Sequence, residues 1–258
     1  MKSLKLLLLI GGLQFAFAGH ASAATEWDQI RASGVLKVGT EGTYAPFTFH
    51  EPKTGQLSGF DVDIARAVGA KLGLKVEFVE GQWDGLIAGL DDHRYDLVAN
   101  EITITPQRQL KYDFSSPYVV SRGALVVKSS DHAIHTFSDL KDKKVAVALS
   151  SNFGQLALHY GAQVVDNTDL FQSIALVSDG RADATLNDRL AYLDFLKHNP
   201  NAQIKFAAID TNAELEAFIL RKGQSELQTA INHALAQIKE DGTYLRISKK
   251  YFGEDVSR

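Results

Sequence analysis

The 258-residue chain contains no cysteine. Disulfide bridges are therefore excluded, and so is a lipid anchor attached through a cysteine thiol. Low-complexity tracts are missing, and no segment repeats at a fixed period, which removes disordered linkers and solenoids from consideration. Positive charge is the scarcer sign: 27 Lys and Arg stand against 31 Asp and Glu, a net charge of −4. Such a chain is poorly suited to nucleic acid or an anionic membrane as its main partner. There is no phosphate-binding P-loop, no Rossmann glycine fingerprint and no Gly-x-Ser-x-Gly nucleophile elbow. His132 and His135 lie in a polar stretch with no third ligand nearby in sequence, so they read as a solvated loop and not as a metal site. No cofactor is expected.

Long apolar runs are also absent, except at the start. Lys2 and Lys5 precede an apolar stretch from Leu6 to Phe17, and Ala21-Ser22-Ala23 follows with small residues at the −3 and −1 positions. This pattern predicts a secretory signal peptide over residues 1–23, cleaved before Ala24. As a membrane anchor the stretch is too short, and Gly11, Gly12 and Gln14 interrupt it. Its removal takes the net charge from −4 to −6. With no cysteine to carry a lipid and no second spanning segment, the mature protein is expected free in solution, in a periplasm that retains it.

What remains reads as alternating strands and helices. Val35–Thr40, Lys75–Glu80 and Tyr95–Ala99 have strand character, while Phe60–Leu72 and Trp83–Leu90 carry apolar residues at helical spacing. The alternation then recurs. Strands are expected at Lys144–Leu149, Gln163–Val165 and Ala182–Leu186, and helices at Phe153–Tyr160, Leu170–Gly180 and Leu190–Lys197. Glu216–Leu220 is again strand-like, and Glu226–Lys239 is an amphipathic helix. The expected fold is α/β, with two lobes that are each a mostly parallel sheet flanked by helices. Residues 24–117 form the first lobe, with 217–258 returning to it, and 122–212 form the second. The chain crosses at 118–121 and 213–216, which act as two hinge strands. Ligands of such sheets sit beyond the carboxyl ends of the strands, here in the cleft between lobes.

Several blocks carry a more specific signal. Gly59-Phe60-Asp61-Val62-Asp63-Ile64, continuing through Val68, Gly69 and Leu72, is joined by Glu41-Gly42-Thr43-Tyr44-Ala45-Pro46-Phe47. Thr103-Ile104-Thr105-Pro106-Gln107-Arg108 and Tyr112-Asp113-Phe114-Ser115-Ser116-Pro117-Tyr118 follow, and Asp241-Gly242-Thr243-Tyr244 and Lys249-Lys250-Tyr251-Phe252-Gly253 close the series. In order and along the whole mature chain, these resemble the family 3 extracellular solute-binding proteins, the polar amino-acid receptors of ABC importers. The resemblance implies a bilobal Venus-flytrap fold that binds an amino acid.

The resemblance also implies roles. Arg108 stands where the family binds the ligand carboxylate, and a guanidinium meets a carboxylate with two parallel charge-assisted hydrogen bonds. Thr103 adds an N–H and a hydroxyl. Ser151 and Asn152 open a helix whose free N–H groups attract anions, although either is equally an ordinary N-cap. Asp188, by position the partner of the ligand ammonium, competes with the same capping role. Tyr44 and Phe60 line the ligand in the family; for Phe60 core packing weighs about equally, and for Trp83 it is favoured. Glu41 and Glu101 are acidic groups that can favour a second ammonium or remain solvated.

The expected function is a periplasmic binding protein of an amino-acid ABC importer. It closes its lobes on a polar L-amino acid, serves a membrane permease, acts as a monomer and does no covalent chemistry. Glu41-Gly42-Thr43-Tyr44, Gln82-Trp83-Asp84-Gly85 and Ser151-Asn152-Phe153 look most like the L-cystine receptors of the family. The likeness breaks at Ser150-Ser151, where those receptors carry Gly-Thr, and at Glu101, where many carry a neutral amide. Two other readings compete. One is a cyclohexadienyl dehydratase-like enzyme on the same fold, using Glu101 or Glu41 as the acid. The other is a sensory module for a membrane receptor.

Overall fold

The computed structural model describes residues 24–258; the expected signal peptide and its cleavage site lie outside the described residues. Two sheets organise the chain. In the first, the strands run in the order Lys75–Glu80, Val35–Thr40, Leu97–Thr103, Glu214–Arg221 and Tyr112–Phe114, with Val119–Ser121 also paired to Glu214–Arg221. In the second the order is Gln163–Asp166, Lys144–Val147, Ala184–Asp188, Gly123–Lys128 and Ile204–Ile209. Parallel pairs form the half of each sheet built from strand–helix alternation. The other half is antiparallel, because Glu214–Arg221 and Gly123–Lys128 each enter their sheet against the neighbouring strand. The sheets are thus mixed, with more antiparallel pairing than the alternation alone suggests.

The two crossings lie side by side. Val119, Val120 and Ser121 pair antiparallel with Glu216, Leu215 and Glu214. The chain leaves and re-enters the first sheet at this one place, so the lobes are joined by a two-stranded ribbon.

The helix Phe60–Leu72 shows how local sequence places the site. Gly59 precedes it at φ 132°, and a Cβ there would overlap the Phe47 carbonyl, so only glycine allows this entry. Gly73 ends it in the left-handed conformation. Phe60, Ile64 and Val68 face the core, as their spacing predicts. The long helix Ser225–Glu240 packs on the same core through Leu227, Ile231, Leu235 and Ile238. Other elements differ from expectation. The apolar periodicity over Trp83–Leu90 gives two short helices, Trp83–Leu86 and Ala88–Asp91. The strand expected at Tyr95–Ala99 begins at Leu97 and continues to Thr103, and Tyr95 instead fills the core. The small antiparallel meander Thr43–Tyr44, Thr48–His50 and Leu57–Ser58 and the C-terminal helix Thr243–Phe252 were not expected. Among the described residues no helix is long and apolar enough to cross a membrane.

Candidate functional site between the lobes

A cavity lies between the two sheets, at the carboxyl ends of their strands. Glu41, Tyr44, Trp83, Asn100, Glu101 and Thr103 line it from the first lobe, and Glu216 from the strand that crosses back. Val147, Ser151, Asn152, Phe153, Asn187 and Asp188 face them from the second. Contacts between the lobes hold this arrangement closed. Tyr44 Oη lies 2.6 Å from Asn187 Oδ1, and the Ser150 hydroxyl donates to Asp84 at 2.7 Å.

The first-lobe wall depends on an irregular strand. Between Val98 and Ile102 the pairing with Ile219 and Ala217 shifts register, and Glu101 adopts φ 49°. A left-handed glutamate inside a buried strand is strained, a condition that persists only when its surroundings enforce it. Here Asp61 does so. Its Oδ2 accepts the Glu101 N–H at 2.5 Å, while its Oδ1 accepts the Tyr118 hydroxyl at 2.8 Å. The bulge turns Asn100 and Glu101 together toward the cavity. Asn100 then clasps Glu41, its Nδ2 donating to the Glu41 carboxylate at 2.6 Å and its Oδ1 accepting the Glu41 N–H at 2.9 Å.

On the second lobe, helix starts supply the groups. Ser151 caps the helix Asn152–His159: its hydroxyl accepts from Gly154 N–H at 2.9 Å and donates to the Ala148 carbonyl at 2.7 Å. Asp188 caps the helix Arg189–His198 with Oδ1, which accepts from Leu190 N–H at 2.6 Å. The buried carboxyl also has the Ser121 hydroxyl and the Glu101 carboxyl beside it. The capping and ligand roles of Asp188 are therefore compatible, since each needs only one oxygen. Asn152 donates to Glu214 at 3.2 Å.

The structure thus brings Glu41, Tyr44, Glu101, Thr103, Ser151, Asn152 and Asp188 to one cavity. Arg108 stands at its edge. The guanidinium donates to the Thr103 carbonyl at 2.9 Å and lies over the Trp83 ring, 5.6 Å from its centre, so it touches two lining residues without being on the wall. Phe60 is a correction. It is fully buried among Tyr118, Tyr244, Tyr251 and Phe252 and does not line the cavity, because it opens a helix whose face packs on the core. Trp83 does both: it packs against the core cluster of Leu86, Leu90 and Tyr95, as favoured, and it also lines the cavity. Asn100, Asn187 and Glu216, which line the cavity, were missed. A glutamate at the head of the apolar run Ala217–Leu220 was the one available signal.

The cavity is acidic. Glu41, Glu101, Asp188 and Glu216 line it, and no Lys, Arg or His is on its wall. Burial raises the Glu41 carboxyl to about 7, against the hydrogen bond from Asn100. Burial likewise lifts Asp188 to about 6 and both Asp61 and Glu214 to about 7. Glu101 and Glu216 are pushed well above the carboxylate range by burial, reinforced by Asp188 beside the first and Glu214 beside the second. Raised carboxyl values mean that the folded protein binds more protons than the unfolded chain between about pH 4 and 7. The stability these groups contribute is complete below that window and is lost as the pH rises through it, by about 1.4 kcal/mol per pH unit for each extra proton. The melting temperature of the ligand-free protein is therefore expected to fall by about 5 °C or more between roughly pH 5 and pH 8. Thermal unfolding monitored by circular dichroism across that range checks the sign, and a rising profile would contradict it.

Two α/β lobes on a paired ribbon, enclosing a cavity walled by polar groups from both, define a protein built to surround a small polar ligand. The chain belongs to the bacterial extracellular solute-binding proteins, family 3, whose family model matches residues 36–254. A probable amino-acid ABC transporter-binding protein of Haemophilus influenzae is 45% identical over 251 residues, covering 97% of this chain and 96% of that one. The L-cystine-binding protein TcyA of Bacillus subtilis is 44% identical over 232 residues, 90% of this chain and 86% of its own. Among solved structures, an ancestral arginine-binding protein bound to arginine superposes with a TM-score of 0.80 at 40% identity, over 85% of this chain and 99% of that one. The L-cystine solute receptor of Neisseria gonorrhoeae, in its unliganded open conformation, gives 0.62 at 43% identity, over 92% and 100%.

Proposed function

We propose that this protein is the periplasmic receptor of an amino-acid ABC importer and that L-cystine is its ligand. The observation that carries the reading is the cavity itself, closed between the lobes and furnished from both. Asp188, a buried carboxyl on the cavity wall with one oxygen committed to its helix, takes the ligand ammonium. Arg108, the cation beside an otherwise acidic wall, takes the carboxylate with Thr103 and the N–H groups behind Ser151. Tyr44 and Trp83 offer ring surface to the sulfur atoms of a disulfide. The relatives named above supply the ligand class and the importer.

Closure is part of the proposal. Residues 118–121 and 213–216 act as hinges, and 24–117 with 217–258 moves against 122–212. Because the ligand contacts both lobes, it binds the closed form better and shifts the population toward it. The more identical of the two solved structures above is open and superposes less well than the arginine-bound one, in keeping with lobes that change their relative position. A membrane permease then reads the closed form, and no covalent step is involved.

Competition calorimetry with cystine, glutamine, arginine and diaminopimelate tests the ligand. Cystine is expected to saturate the protein, and small-angle scattering to show a smaller radius of gyration with it. If another of these saturates where cystine does not, the cystine assignment fails and the amino-acid class survives. An unchanged radius of gyration at saturation would count against closure.

A further inference from the structure

We propose that the empty receptor carries a proton-operated latch: a proton on Glu101 directs the Tyr44 hydroxyl across the cleft to Asn187 and holds the lobes closed, and loss of that proton turns the hydroxyl back and lets the lobes part. The latch rests on the reading above that the lobes open and close, and it is independent of which amino acid they close on.

Tyr44 has more oxygen partners than protons. Its Oη lies 2.7 Å from Glu101 Oε2, in its own lobe, and 2.6 Å from Asn187 Oδ1, in the other. Asn187 Oδ1 also accepts the Asp188 N–H at 2.7 Å, which fixes that atom as the oxygen of the amide. The phenol thus stands between two oxygens with one proton to give. Both contacts are hydrogen bonds only when Glu101 is protonated and donates to Tyr44, which then donates to Asn187. With Glu101 ionised, the phenol is drawn to the carboxylate by a charge-assisted bond. Asn187 Oδ1 then faces the lone pairs of Tyr44, and the bond between the lobes is gone.

A like-charge contact acts in the same direction. Asp188 of the second lobe stands beside the Glu101 carboxyl. Ionised together they repel across the cleft, so one carboxyl of such a pair keeps its proton. Glu101 is 8% exposed and Asp188 2%, so water screens the repulsion poorly, and opening the lobes relieves it.

The groups around the pair give Glu101 no counter-charge. Asp61 accepts the Glu101 N–H and the Tyr118 hydroxyl, and Glu216 on the crossing strand is a further carboxyl, beside Thr103. Asp188 has the Ser121 hydroxyl beside it and accepts the Leu190 N–H. Arg108 is engaged by the Thr103 carbonyl and the Trp83 ring. Burial and Asp188 accordingly raise Glu101 well above the carboxylate range. The contacts of Ser150 with Asp84 and of Asn152 with Glu214 need no added proton.

The closed form therefore holds a proton that the open form, with its carboxyls in water, gives up. The closed share of the unliganded protein is highest in acid. The closed-to-open ratio falls about tenfold per pH unit across the window in which only the closed form is protonated.

Spin labels test this directly. The chain has no cysteine, so labels on Lys53→Cys and Asn201→Cys, exposed residues of the first and second lobes, report the distance between lobes alone. In ligand-free protein the shorter distance is expected to dominate at about pH 5 and a longer one at about pH 8. Glu101→Gln gives Tyr44 a permanent N–H donor and should keep the shorter distance at the higher pH. Tyr44→Phe removes the bridge and should show the longer distance already at the lower pH. A single distance in wild type at both pH values, a Glu101→Gln variant that still opens, or a Tyr44→Phe variant that behaves as wild type would overturn the latch. Cystine, glutamine and arginine, added in turn at the higher pH, separate the two possible failures. Shortening by one of them without a pH response in the empty protein would leave the receptor reading intact. No change with pH or with any of the three would overturn both.

Discussion

Replacing Arg108 by alanine should weaken ligand binding by about a hundredfold or more, the scale expected when one partner of a buried charge pair is removed. The expectation comes from charge. Four carboxylates line the cavity, and Arg108 is the cation at its edge, held against Thr103 and Trp83. Without it, a ligand carboxylate would enter an acidic, desolvated space with no counter-charge. Lysine should not restore binding, because it offers a point charge where the guanidinium offers two coplanar donors. The fold should tolerate the change. Arg108 makes one side-chain hydrogen bond and sits on a short, largely exposed helix, Pro106–Lys111. Calorimetry on variant protein with a near-native melting curve makes the comparison, and near-native affinity in Arg108→Ala would remove this residue from the site.

Legibility in the sequence followed the range of the interactions. Phe60–Leu72 and Val35–Thr40 appear at the expected bounds because local periodicity and flanking glycines decide them. The doubling of the α/β unit was legible for the same reason. The antiparallel halves of the sheets were not, since Gly123–Lys128 and Ile204–Ile209 are placed by partners far along the chain. The site divides the same way. Asp188 and Ser151, which the structure places on the cavity wall, stand at strand-to-helix junctions, where local capping chemistry is legible. Asn100 was missed because nothing near it in sequence indicates a cavity, and Glu216 because its one signal, a glutamate heading an apolar strand, is weak. The bulge that turns Asn100 inward and the ribbon that carries Glu216 past Val119 exist only in the assembled sheet.

The same distinction explains Phe60, whose replacement by alanine should damage the fold and not the binding chemistry. The ring has no exposed surface, and its aromatic neighbours come from the C-terminal helix and from Tyr118. Phe252 lies 5.1 Å away between ring centres, Tyr244 and Tyr251 present edges at 6.0 and 6.3 Å, and Tyr118 lies at 6.1 Å where the chain leaves for the second lobe. Truncation opens a cavity where the C-terminal helix docks, at a cost of about 3–5 kcal/mol. For a protein of this size that lowers the melting temperature by about 10 °C. Ligand affinity, measured well below the new transition, should stay within a few fold of wild type, because the next residue, Asp61, is the one whose carboxylate holds Glu101 and Tyr118. One step along the helix separates the core anchor from the group that shapes the site. A Phe60→Ala variant with an unchanged melting temperature and lost affinity would reverse that assignment and return the ring to the ligand.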